Sequence, residues 1–123
     1  MGDDEFWHSL DVLVETSELV IDRPRGSAHP RYPEFRYPLD YGYLAETHSG
    51  DGRGIDVWVG SDPEKRPMAL VLTLDLHKRD TEPKILLGCT SEEVQLILAI
   101  HRRGMQFALS IERELYGAGM PGK

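Results

Sequence analysis

Apolar positions recur along this chain with two periods, and the switches between them mark its elements. Phe6, Leu10 and Leu13 fall at i, i+4 and i+7 behind Asp3, Asp4 and Glu5. This predicts a helix over 3–16 with its acids at the positive end of the helix dipole. Leu19-Val20-Ile21 is a short strand pattern ending on Asp22, and Pro24 and Gly26 turn it into a loop. Ile55-Asp56-Val57-Trp58-Val59 alternates, so the three aliphatics take one face of a strand and Asp56 with Trp58 take the other. Met68 to Leu76 and Lys84 to Leu87 predict two more strands, joined through the charged hairpin from His77 to Glu82. Thr90 and Glu93 form a capping box. Val94, Ile97, Leu98, Met105, Ala108 and Leu115 follow at near-heptad spacing, which predicts a long helix over 91–115 that ends at Gly117, with a fraying tail beyond. Helix, short strands without crossover helices, then helix implies an α+β fold with an antiparallel sheet or small barrel. Neither a Rossmann nor a P-loop pattern is present.

Two segments resist both periods. Residues 24–38 interleave Pro24, Pro30, Pro33 and Pro38 with Arg23, Arg25, Arg31 and Arg36, which forbids a helix and makes this the one locally basic stretch. Taken alone, it reads equally as a solvated loop. Ser49-Gly50-Asp51-Gly52-Arg53-Gly54 has three glycines in five residues, the mark of a turn needing positive φ or close backbone approach.

Composition narrows the classes. At 123 residues the chain has the size of one domain, 1–123. With 14 Lys and Arg against 21 Asp and Glu, its net charge of -7 argues against nucleic acid as a partner. Cys89 is the only cysteine, which excludes an intrachain disulfide and a Cys-rich zinc site and favours a reducing compartment. Without a signal-peptide pattern or an apolar run of membrane-spanning length, a cytoplasmic location away from membranes is expected. Burial accounts for Cys89, packing for Trp58, and surface or packing positions for His8, His29, His48 and His101.

Carboxylates collect where predicted strands end: Asp22, Asp51, Asp56 and Glu82, with Asp40, Asp75 and Asp80 in reserve. Hard divalent cations take such oxygen ligands, while Arg and Lys grip phosphate oxygens that the metal leaves free. Scattered carboxylates are also ordinary solvated groups, and spacing alone leaves both readings open.

Four blocks in order resemble the soluble inorganic pyrophosphatases of family I. They are Ile21-Asp22-Arg23-Pro24-Arg25-Gly26-Ser27, Tyr37-Pro38-Leu39-Asp40-Tyr41-Gly42-Tyr43, Asp51-Gly52-Arg53-Gly54-Ile55-Asp56-Val57 and Glu82-Pro83-Lys84-Ile85. The resemblance implies a small OB-like antiparallel β-barrel with the two helices outside it. It also implies Mg²⁺, with Mn²⁺ as the alternative ion, activating water to hydrolyse pyrophosphate or a related small phosphoanhydride. Carried over, Asp22, Asp51, Asp56 and Glu82 are the metal ligands, Asp56 bridging two ions. Tyr37, Lys84, Arg31 and Tyr41 contact phosphate or order the nucleophile's hydrogen bonds. Arg36 is the substitute for a family arginine whose segment is shortened here.

Three departures qualify that transfer. Arg53 stands where the family has the Asp that assists the nucleophile, and an arginine is no general base, so in the catalytic set of Asp51, Asp56, Tyr41 and Arg53 it binds phosphate instead. The late ligand pair aligns either as His77 and Glu82 or, with a two-residue slip, as Asp75 and Asp80. The family's late Tyr-Lys phosphate contact has no counterpart after Thr90. The alternative function is therefore a retired pyrophosphatase-like scaffold that binds metal and phosphate or an anionic metabolite for regulation. The length of the long helix makes it a candidate contact between copies in a homo-oligomer.

Overall fold

The computed structural model describes residues 2–114. Helix α1 (Gly2–Glu15) is followed by strands β1 (Leu19–Arg23), β2 (Asp40–Leu44), β3 (Asp56–Val59), β4 (Pro67–Asp75) and β5 (Asp80–Leu87). Helix α2 (Ser91–Ile100) and strand β6 (Gln106–Glu112) complete the order. The six strands form one sheet in the order β1-β2-β3-β5-β4-β6. Its neighbours run antiparallel except β3 and β5, which are parallel with Asp56 opposite Lys84. The fold is α+β as expected, but the sheet is mixed and stays open, with β1 and β6 at its two edges instead of closing an antiparallel barrel. Placing β5 between β3 and β4 is what creates the parallel pair, a non-local choice that strand patterns do not encode.

Helices pack on both faces of the sheet, which explains the apolar runs over 57–59 and 85–87 in its central strands. On one face Leu44, Val57, Ile85 and Leu87 pack with Trp7 and Leu10 of α1. On the other, Trp58, Ala69, Val71 and Leu86 pack with Val94, Ile97 and Leu98 of α2. Ile55, Val57 and Val59 share the α1 face, and Trp58 lies on the opposite one, as the alternation predicts. Gly42 is fixed by close approach: beside the irregularity in β1 between Ile21 and Arg23, a Cβ here would fall into the Val20 carbonyl. Arg113 ties the end of β6 back to α1 through a two-pronged pair with Asp11 at 2.7 and 2.8 Å.

The capping box is formed. Thr90 Oγ1 accepts from the Glu93 amide at 3.2 Å, and Glu93 Oε1 accepts from the Thr90 amide at 2.9 Å. The helix it starts is much shorter than the sequence pattern implies. It stops at the C-cap His101, and the chain turns through Gly104 at φ 59° before entering β6. Phe107, Leu109 and Ile111 alternate with Ala108 and Ser110, a period of two that Met105 and Ala108 disguise as a continuing heptad. Leu115, Gly117 and the tail lie outside the described residues. The helix therefore lacks the length from which a contact between copies is expected. Among the described residues, no helix is long and apolar enough to cross a membrane.

Candidate functional site

Helix α2 covers only one end of its sheet face. Past its C-terminus, that face opens into a cavity of about 580 Å³ whose floor is β3 and β5. Lys84, one of two polar or charged side chains among the buried residues described, lies there with 8% of its side chain exposed. Its Nζ donates to Asp56 Oδ2 and to the Tyr41 hydroxyl, each at 2.9 Å. Glu82 Oε1 is a looser partner at 3.6 Å. The parallel register brings Asp56 beside Lys84, and β2 pairing brings Tyr41 beside Trp58. Side chains two apart on a strand share a face, which adds Glu82 to the same group.

Electrostatics keep Lys84 charged and Tyr41 neutral. Burial alone would pull the Lys84 pKa down, but the Tyr41 oxygen and the Asp56 carboxylate outweigh it, so the ammonium stays charged. Burial raises the Tyr41 pKa well above the usual phenol range, and it remains a neutral hydroxyl. With three N–H groups and two short bonds, the ammonium retains one proton whose remaining partner among the described residues is Glu82, at a distance beyond a good hydrogen bond.

A clamp from the end of α2 forms the back wall. Trp58 Nε1 donates to His101 Nε2 at 3.2 Å, and His101 Nδ1 lies 3.2 Å from Gln106 Oε1. Those partners fix the neutral tautomer that carries its proton on Nδ1. Burial, then the nearby Lys84 charge, lower the His101 pKa to about 4. The front wall is the proline-rich segment. The Ala28–Arg36 bridge and the Tyr37 amide donating to the Ser27 carbonyl at 3.0 Å fold it into a loop that carries His29, Tyr32 and Phe35 to the cavity.

Of the residues singled out from sequence, Tyr41, Asp56 and Glu82 meet around the Lys84 ammonium, and Tyr37 lines the wall against Trp58. The others stand elsewhere. Asp51 and Arg53 are exposed in the glycine turn, where Asp51 Oδ1 accepts from the Arg53 amide at 2.9 Å. Asp22 is exposed, with Arg23 at 3.9 Å. Arg31 is exposed, and the Arg36 guanidinium donates to the Gly26 carbonyl at 3.1 Å. Asp40 accepts from the Arg25 amide at 2.7 Å. Asp75 caps the β4–β5 turn by accepting from the His77 and Lys78 amides, while Asp80 and Glu82 line the cavity. The sequence reading leaves His29 and His101 out of the site and misses Gln106, because a helix through 106 cannot return it to Trp58.

The fold and this cluster define a class: an open α+β sheet carrying a lysine, carboxylate and phenol group under an aromatic cavity. No family model matches the chain, and no curated protein matches it. Solved structures do, and those named here are bacterial inorganic pyrophosphatases. The one from Neisseria gonorrhoeae superposes with a TM-score of 0.56 at 17% identity, covering 72% of this chain and 77% of that one. The Helicobacter pylori enzyme gives 0.56 at 14% identity, with 78% and 82% covered. The Coxiella burnetii enzyme gives 0.56 at 16%, with 78% and 83% covered. The chain therefore has the pyrophosphatase fold.

The Mg²⁺ ions implied by the motif blocks can be tested against the donor set. Among the described residues, no three His, Cys, Asp or Glu side chains group closely enough to hold a metal ion, so Asp22, Asp51, Asp56 and Glu82 do not form one ligand set. The two carboxylates that do meet, Asp56 and Glu82, face the Lys84 ammonium. A resident two-ion centre does not fit this arrangement, because among the described residues only two carboxylates meet and they share the Lys84 ammonium, which offsets one of their two charges.

Proposed function

We propose that this chain is a pyrophosphatase-fold binding protein whose Lys84 pocket holds a small phosphorylated ligand, such as pyrophosphate or a related phosphoanhydride, without turning it over. The observation that carries this reading is the Lys84 ammonium, which lines the cavity and is held by Asp56 and Tyr41, with its third N–H uncommitted to a close partner among the described residues. A phosphoryl oxygen is a better acceptor for that proton than Glu82 at 3.6 Å. Arg53 stands where the motif has an acid and lies exposed in the glycine turn, and Asp56 is engaged by Lys84, so neither is poised to activate water, which supports binding over hydrolysis. Lining charges balance, with Lys78, Lys84 and Arg103 against Glu34, Asp80 and Glu82. Recognition thus rests on a directed N–H and shape more than on a basic field.

The experiment is calorimetric titration of the full chain with pyrophosphate, with and without Mg²⁺, beside Lys84→Met. Saturable binding lost in Lys84→Met, without phosphate release, is the expected result. Mg²⁺- or Mn²⁺-dependent hydrolysis is the second reading, favoured by the ordered motif blocks around Asp56 and Lys84. Phosphate release that disappears in Asp56→Asn would establish it in place of the first.

A further inference from the structure

We infer that the ligand of this pocket carries a planar ring beside its phosphate, as a nucleoside phosphate does; this rests on the phosphate-binding reading of Lys84. Sequence alone offers no base-binding motif, but the folded loop supplies a surface for one. Tyr32 stands in the cavity lining with 59% of its surface exposed, which leaves most of the ring open to a ligand. His29 lies beside it at a ring-centroid separation of 5.1 Å, and Phe35 is 6.3 Å from His29 on the inner side. The Arg103 guanidinium lies 6.0 Å from the Phe35 ring, adding a cation to the cavity lining.

His29 is also set up as a donor. Its Nδ1 accepts from the Arg31 and Tyr32 amides at 3.0 and 3.3 Å, so the neutral ring carries its proton on Nε2. That nitrogen has no hydrogen-bond partner among the described residues. A heteroaromatic ring stacked there gains face contact from Tyr32 and an edge acceptor for His29, while its phosphate reaches Lys84. Size and charge agree with this division. A volume of about 580 Å³ falls within the range of pockets for whole organic ligands and leaves room beyond a phosphoanhydride alone. The balanced lining charges suit a ligand that is part anion and part uncharged ring better than a bare polyanion.

The test is equilibrium binding of AMP, ribose 5-phosphate and adenosine to the full chain, to Tyr32→Ala and to Tyr32→Phe. Base stacking on a protein aromatic corresponds to about 5- to 150-fold in affinity. AMP, which carries the same single phosphate, is expected to bind more tightly than ribose 5-phosphate by a factor in that range. Tyr32→Ala should remove the advantage while ribose 5-phosphate affinity stays level, and Tyr32→Phe should retain it. Equal affinity for AMP and ribose 5-phosphate would overturn the ring inference and leave the phosphate reading standing. Adenosine matching AMP, with no binding of ribose 5-phosphate, would overturn the phosphate reading and the inference with it. So would no binding by any of the three.

Discussion

Removing one partner from the Lys84 group should show which charge the fold depends on. In Asp56→Asn the ammonium keeps Tyr41 at 2.9 Å and Glu82 at 3.6 Å but loses its close counter-charge. At 2.9 Å that attraction is roughly 6 kcal/mol with an effective dielectric near 20, a gross figure before desolvation. Breaking a buried pair from one side costs about 3–5 kcal/mol. Glu82 remains, and Asp56 is 30% exposed, so a loss of about 2–3 kcal/mol is expected, below the full range. Lys84→Met removes the buried charge itself, fills the stem's volume and leaves two carboxylates, Asp56 and Glu82, that water can reach. That change should cost about 1 kcal/mol or less. Urea unfolding followed by far-UV circular dichroism measures both, and the Asp56→Asn midpoint should fall by about 1–2 M. The double variant should resemble Lys84→Met, giving a clear coupling energy. If Lys84→Met proved more damaging than Asp56→Asn, or the two changes were additive, the buried ammonium would not be the group at risk.

Three further outcomes test the frame around the site. Because His101 has a folded pKa of about 4 against an ordinary 6.5, the native state takes up its proton later than the unfolded one. Stability contributed by the neutral ring is present above 6.5 and is lost as pH falls toward 4, by as much as about 3 kcal/mol. His101→Gln should flatten this part of the wild-type stability profile, and an unchanged slope would contradict the clamp. Gly42→Ala should lower the thermal midpoint severely or prevent folding, since the added carbon has to displace the Val20 carbonyl between paired strands; a midpoint within a few degrees of wild type would refute the close approach. Asp11→Ala should cost about 2 kcal/mol in chemical unfolding, because it strands the Arg113 guanidinium, which is 10% exposed.

Much of the scaffold was legible because its signals are local. The spacing of Phe6, Leu10 and Leu13 marks helix α1, although Trp7 enters the core with Leu10 while Phe6 stays 50% exposed, and the alternation around Asp56 and the Thr90–Glu93 box are equally local. The same holds for part of the site: strand alternation puts Asp56 on the face away from Ile55, Val57 and Val59, and the motif blocks mark Tyr41, Glu82 and Lys84 beside it. What stayed hidden depends on long-range pairing. Nothing near Lys84 says that β5 lies parallel to β3, which brings its ammonium to Asp56 across 28 positions of sequence. Nor does the alternation of proline and arginine over 24–38 say that the loop turns His29, Tyr32 and Phe35 to the cavity while Arg31 and Arg36 stay outside it. Charge drew attention to the arginines, whereas the backbone fold selects the rings.

The most misleading segment of the sequence is also the one that builds the pocket. A helix continuing through 115 would carry the chain away from the sheet, and Met105 and Ala108 would sit in its apolar stripe. Instead, Gly104 takes φ 59° and reverses the chain within a few residues of His101. Pairing of β6 with β4 then holds Gln106 opposite Asp75. That reversal sets His101 between Trp58 and Gln106, so each ring nitrogen has a partner, and Trp58 is held where it packs edge-on to Tyr41 at 4.6 Å. Tyr41 in turn bonds Lys84. The helix end, the tryptophan, the phenol and the ammonium therefore form one contiguous chain of contacts from the C-cap to the cavity floor. Shortening α2 leaves the sheet face uncovered where a ligand can enter, and the strand that replaces its last turns supplies the wall behind it.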